Sequence, residues 1–149
     1  MTAPRELEHS DLILSSRRPL ELRLAKESEL GAITSAIDDA KPIKGVIHTW
    51  QAIAMVDPVA GAATLRIVGL FEACPWITSD ARELSHDRSL VRTRNSVYAL
   101  GHPVDGTLSP SHLRAVVWAL DEWGLADRYG LELMSEIDIE RAVHGRHES

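Results

Sequence analysis

The chain has 149 residues, 22 acidic and 16 basic side chains, and a formal net charge of −6 at pH 7. That length suits one domain with a sizeable core, and that charge opposes bulk electrostatic binding of nucleic acid or an anionic membrane. The single cysteine, Cys74, rules out an internal disulfide and fits a cytoplasmic setting. No apolar run approaches the length of a membrane span, and the early acids of "MTAPRELEHSDLIL" do not read as a secretory signal.

Residues 1–11 read as polar and loose, and "LIL" at 12–14 as a short strand or an anchor onto the core. "LELRL" at 20–24 alternates apolar and charged residues, the mark of a half-buried strand. Leu30, Ile33, Ile37 and Ala40 then recur at helical spacing, with Ser28 as N-cap and Pro42 as stop, which predicts a helix over 28–40. The run at 43–56 fits either a helix or a strand. Its β-branched residues and the "DPVAG" that follows favour a hairpin, with strands at 46–56 and 63–72.

"ITSDAREL" and "LVRTRNSVYAL" flank "SHDR" and predict a second hairpin. Ser109 as N-cap, Pro110 at the first helical position, an apolar stripe of Leu113, Val116, Val117 and Leu120, and Gly124 as stop predict a helix over 109–123. "SEID" at 135–138 suggests a short helix up to Val143, and 144–149 a frayed end. The expected fold is one α+β domain over 1–149: a small antiparallel sheet or partial β-barrel of two hairpins, packed by an N-terminal and a C-terminal helix.

Strand alternation would put Arg92, Arg94 and Tyr98 on one side of a single extended strand, with Arg82, His86 and Arg88 on its partner and turn. Guanidinium forks bind carboxylates and phosphates, and tyrosine stacks. Arg82, Arg88, Arg92, Arg94 and Tyr98 are therefore the candidate ligand or partner contacts. The competing reading is a solvated face whose charges pair with Glu83, Asp87 or acidic helices. "RNS" at 94–96 reads as a bulge or kink, which accounts for Asn95 without a ligand. A weaker anion site is the helix start at Ser109, with His112 in its first turn.

Seven histidines are scattered. His144 and His147 lie three apart, and no zinc-type spacing occurs, so no metal or cofactor is implied. No nucleophile elbow, P-loop or dinucleotide motif is present, and a lone cysteine such as Cys74 is more often a small apolar residue than a nucleophile. No catalytic residue is assigned. The four tryptophans, Trp50, Trp76, Trp118 and Trp123, belong at packing junctions or interfaces.

The segment 69–101 resembles a pattern found in small uncharacterised bacterial and phage-borne proteins. In these a Thr-Ser pair, here Thr78 and Ser79, begins one strand, and T-x-N-S-x-Y-x-L, here Thr93 to Leu100, closes the next. The resemblance implies a small β-barrel-like unit and a mobile-element origin, and brings no catalytic residues. The leading expectation is a non-enzymatic, acidic protein-binding accessory. It would occupy a partner's nucleic-acid-binding surface, an inhibitor of a host defence complex being one instance. The alternatives are a small-molecule or nucleotide-binding domain using the arginine strand and the helix start, and a local nucleic-acid-binding module. Homodimer formation fits all three.

Overall fold

The computed structural model describes residues 13–15, 21–37, 42–57, 62–106, 108–125, 127 and 132–133. The expected loose ends, the "SEID" helix, His9, His144 and His147 lie outside them. In chain order the elements are β1 (Ile13–Ser15), β2 (Glu21–Leu24), α1 (Glu27–Ala32), β3 (Ile43–Asp57), β4 (Ala62–Phe71), β5 (Cys74–Ile77), β6 (Ala81–Leu84), β7 (Leu90–Thr93), β8 (Val97–Leu100), α2 (Pro110–Glu122) and β9 (Glu132–Leu133). The main sheet runs β5-β4-β3-β8-β7-β6, with β2 also on β3, while β1 and β9 form a separate small ladder. This is an α+β domain.

The sheet is mixed rather than purely antiparallel, because β8 lies parallel to β3. A bulge in β3 organises it. Between the pairs His48↔Leu70 and Gln51↔Val68, β3 has two residues, Thr49 and Trp50, where β4 has only Gly69. Thr49 takes a left-handed φ of 46° to absorb the extra residue. Before the bulge the other edge of β3 pairs with β8; after it that edge pairs with β2. At the bulge itself Trp50 turns to the loop 101–104. Its amide donates to His102 O, its carbonyl accepts from Val104 N, and its indole N–H donates to Gly101 O at 2.9 Å.

From Trp50 to Met55 β3 is buried on both faces, and so are Ile67 and Val68 of β4. Ile53, Met55 and Val68 join Leu113, Val116 and Leu120 of α2 in one apolar cluster. The alternate residues Ala52, Ala54 and Ile67 join Leu84, Val91 and Tyr98 in a second cluster, under the curled sheet. Two-sided burial turns β3 into a nearly unbroken apolar run, which is why 43–56 matched both a helical and an extended pattern.

The expected second hairpin is corrected in two places. First, 77–84 is not one strand. It pairs with β4 through Ile77, bends at 78–80 without reversing, and then pairs with β7. The two ends of the sheet thus share one bent segment, although no ladder among the described residues closes it into a barrel. Second, 90–100 is not one strand either. Thr93 and Ser96 exchange backbone and hydroxyl bonds (Thr93 N to Ser96 O, 2.8 Å; Ser96 N to Thr93 Oγ1, 3.2 Å), and these reverse the chain at 94–96. β7 and β8 are an antiparallel pair. The hairpin of β6 and β7 stands as expected, its turn held by the side chains of Ser85 and Asp87.

The helix expected over 28–40 is also shorter. Lys26, not Ser28, is its N-cap residue, with the Lys26 amide bonded to the Glu29 carboxylate at 2.8 Å. The helix stops because Ile33 and Ser35 pair in extended form with Leu84 on the outer edge of β6. That pairing covers an exposed strand edge, a demand that spacing alone cannot signal.

Glu29 also takes a two-pronged bond from Arg23 on β2, at 2.6 and 3.0 Å. The Arg23 bond holds its carboxyl down from 4.5 to about 2. Because the folded value lies below the unfolded one, the bond stabilises the protein fully above pH 4.5 and the stabilisation is lost as pH falls toward 2. The group is partly exposed, so Glu29→Gln is expected to cost on the order of 1–2 kcal/mol at pH 7 after solvent screening. Urea unfolding at pH 7 and pH 3 checks this: the gap between wild type and variant should narrow at the lower pH.

Candidate ligand-binding cleft

Three segments meet where the sheet bends away from α2: β5 with the bend at 78–80, the turn at 94–96, and the outer flank of α2. Between them lies a cleft of about 590 Å³. Trp76 on β5, Tyr98 on β8, Trp118 on α2 and Trp123 at its C-cap supply the aromatic walls. Trp118 is 57% exposed and Tyr98 only 4%, so the cleft runs from an open lip to a buried floor. Phe71 sits behind the floor and orders it. Its ring lies 4.9 Å from Trp76 and meets Tyr98 edge to face at 5.6 Å.

Two cations line the cleft, Lys44 from the start of β3 and Arg114 from α2. The Lys44 ammonium lies over both Trp76 and Tyr98, at 5.5 and 5.7 Å from the ring centres. Beside the cleft, the Arg66 guanidinium stacks on Trp123 at 4.4 Å and lies 3.3 Å from Asp80. Burial pushes Arg66 below its usual value, with Asp80 opposing. Among the described lining residues there is no aspartate or glutamate. Hydroxyl and amide groups complete the wall. Thr78 and Thr93 use theirs to hold the bend and the turn, whereas the side chains of Ser79, Asn95 and Ser96 make no hydrogen bond to other described residues. Trp76 Nε1 is buried without a hydrogen-bond partner among the described residues, a cost its ring contacts must offset.

The arginines expected to share one face are dispersed by the turn at 94–96. Arg92 is bonded to Glu83 on the neighbouring strand, at 2.9 and 2.6 Å. Arg88 reaches Glu27 of α1, at 3.3 Å from Nη1 to Oε1. Arg82 is exposed on β6 and Arg94 is exposed on the turn. Tyr98 is on a different strand from Arg92, buried opposite Val91. Of the five, only Tyr98 lines the cleft. Ser109 does cap α2, accepting from the His112 amide at 3.2 Å. His112, however, is buried and bonded to Gln51 at 2.7 Å, so its ring does not face an incoming anion.

No family model matches this chain, no curated protein matches it, and no solved structure matches it. No described helix is long and apolar enough to cross a membrane, and among the described residues no three His, Cys, Asp or Glu side chains gather as a metal site.

Sequence reasoning found part of the cleft indirectly. Thr78, Ser79, Thr93, Asn95, Ser96 and Tyr98, quoted for their resemblance pattern, all line it. It missed Lys44, Cys74, Trp76 and Arg114, which come from distant elements. A signal for Trp118 was present: it stands off the apolar stripe of α2, where a tryptophan has no core to fill. Cys74 is exposed at the cleft wall, and among the described residues no histidine lines the cleft beside it.

Proposed function

We propose that this protein is a small-molecule-binding module whose site is the cleft between β5, the 94–96 turn and α2. The observation that carries the reading is the aromatic lining: Trp76, Tyr98, Trp118 and Trp123 around a space of about 590 Å³. That volume falls in the range of about 300–1,000 Å³ occupied by ligand pockets. An apolar body with a few converging polar groups is the usual composition of such sites, and Ser79, Asn95 and Ser96 offer the polar groups. Among the described residues no nucleophile–base pair stands in the cleft, so the reading is binding rather than catalysis.

A protein partner recognised through acidic faces draws less support. Among the described residues of α1, β2 and β6, Glu29 and Glu21 are already paired with Arg23, Glu27 with Arg88, and Glu83 with Arg92. Paired charges offer a partner little unmet potential.

A thermal-shift screen of aromatic and heteroaromatic metabolites tests the proposal. A ligand at about 100 times its Kd stabilises the fold by roughly 2.7 kcal/mol. Trp118→Ala should leave the unliganded melting temperature unchanged, since the ring is largely exposed, and weaken the ligand about tenfold, the usual cost of losing one stacked ring. A screen without a single stabilising compound, or hits indifferent to Trp118→Ala, would overturn it.

A further inference from the structure

We infer that the ligand of this cleft is a planar aromatic anion, a free small molecule with a carboxylate or similar group on an aromatic body. The inference rests on the small-molecule reading of the site and adds its charge. A cleft walled by tryptophan and tyrosine ordinarily suits a cation, whose charge the ring faces attract. Here the protein has placed its own cations on those rings. Lys44 lies over Trp76 and Tyr98, and Arg66 lies over Trp123. A ligand ammonium approaching the same faces would meet like charge rather than an open ring.

The charge balance of the lining points the same way. The chain carries −6 overall, with 22 acidic residues, yet among the described lining residues there is no carboxylate, while the Lys44 ammonium stands there. A locally positive site in an acidic protein selects for an anion near the ammonium and against free cations. Lys44 makes no ion pair with a described residue, so its three donors remain for a ligand oxygen. The exposed Trp118 ring, which carries no such cation among the described residues, then accepts the ligand's ring, and Ser79, Asn95 and Ser96 can bond the remaining oxygens.

Calorimetric titration of the whole chain with three probes of one shape tests this: 2-naphthoate, 2-naphthamide and protonated 2-naphthylmethylamine. The carboxylate should bind about tenfold more tightly than the amide, consistent with one partly exposed charge-assisted bond, and the ammonium should bind most weakly. Added salt should shrink the carboxylate's advantage. Lys44→Met keeps the apolar stem over the rings and removes the charge at an exposed position, so the fold is retained. It should lower 2-naphthoate affinity to that of the amide and leave the amide unchanged, while Trp118→Ala weakens all three. Equal binding of carboxylate and amide, or tightest binding of the ammonium, overturns the inference and leaves the cleft reading standing. Failure of all three probes to bind overturns the cleft reading and the inference with it.

Discussion

Replacing His112 with alanine is expected to lower the unfolding free energy by about 3 kcal/mol, the combined effect of a cavity and unpaired buried partners. The ring is 2% exposed, in the first turn of α2. Gln51 Nε2 donates to the Gly106 carbonyl at 2.9 Å, which leaves its Oε1 facing the imidazole. His112 Nδ1 lies 2.7 Å from that oxygen and is therefore the protonated nitrogen. The Thr49 backbone, at the bulge, lies beside the same ring. One histidine thus ties α2 to the strand bulge and, through Gln51, to the loop at 106. Burial lowers its pKa below the ordinary 6.5, and the Thr49 backbone opposes this more weakly. With the folded value below the unfolded one, the unfolded chain holds more protons in the window between them. Stability is therefore full above about pH 6.5 and falls as pH drops below it. Urea unfolding between pH 7.5 and 5.5 should show this loss in the wild type. His112→Gln should flatten it, because the titrating group is gone. Equal pH slopes in the two proteins would mean that His112 titrates alike in both states.

How much of this was legible beforehand depended on how local the deciding interactions are. The helix α2 was readable because its cap, its proline and its stripe are adjacent in sequence, and Ser109 and Pro110 do what their chemistry predicts. The strand pattern of β2 was readable for the same reason. β3 was legible as a strand only through its β-branched residues and the turn after it, because Ala52 and Ile53 face two different buried layers and periodicity alone has no polar phase to report. α1 was read too long because Ile33 keeps helical spacing while its backbone is claimed by Leu84, fifty-one residues later in number. The 94–96 segment was read as a kink when its Thr93–Ser96 bonds complete a reversal, and that one turn separates Arg92 from Tyr98. The cleft itself joins Lys44, Trp76 and Trp118 only because the sheet bends at 78–80. Nothing within those segments announces the bend, since Thr78 and Ser79 read as ordinary strand residues.

The bulge in β3 yields the other large expected effect. Gly69→Ala should destabilise the protein by about 3 kcal/mol, the upper end of what overpacking usually costs. An alanine methyl there would lie 2.6 Å from Ile47 Cγ2, 2.7 Å from the His48 carbonyl oxygen and 3.2 Å from Trp50 Cα. A side-chain methyl can rotate aside. The His48 carbonyl and Trp50 Cα cannot, because the bulge forces two β3 residues against one on β4 and holds Trp50 to the loop at 101–104. Relief would require opening the strand where β3 exchanges β8 for β2, and so would loosen both cores together. For a chain of this size about 3 kcal/mol corresponds to a melting temperature lower by roughly 6–12 °C. Gly31→Ala is the matched control. It sits in α1 with nothing within 4 Å of the added carbon, and a glycine-to-alanine change inside a helix is expected to stabilise by about 0.5–1 kcal/mol. The two single-methyl variants should move in opposite directions in the same thermal melt. A Gly69→Ala protein melting with the wild type would mean that β3 and β4 can part at the bulge without loss, and that the bulge does not set the course of the sheet.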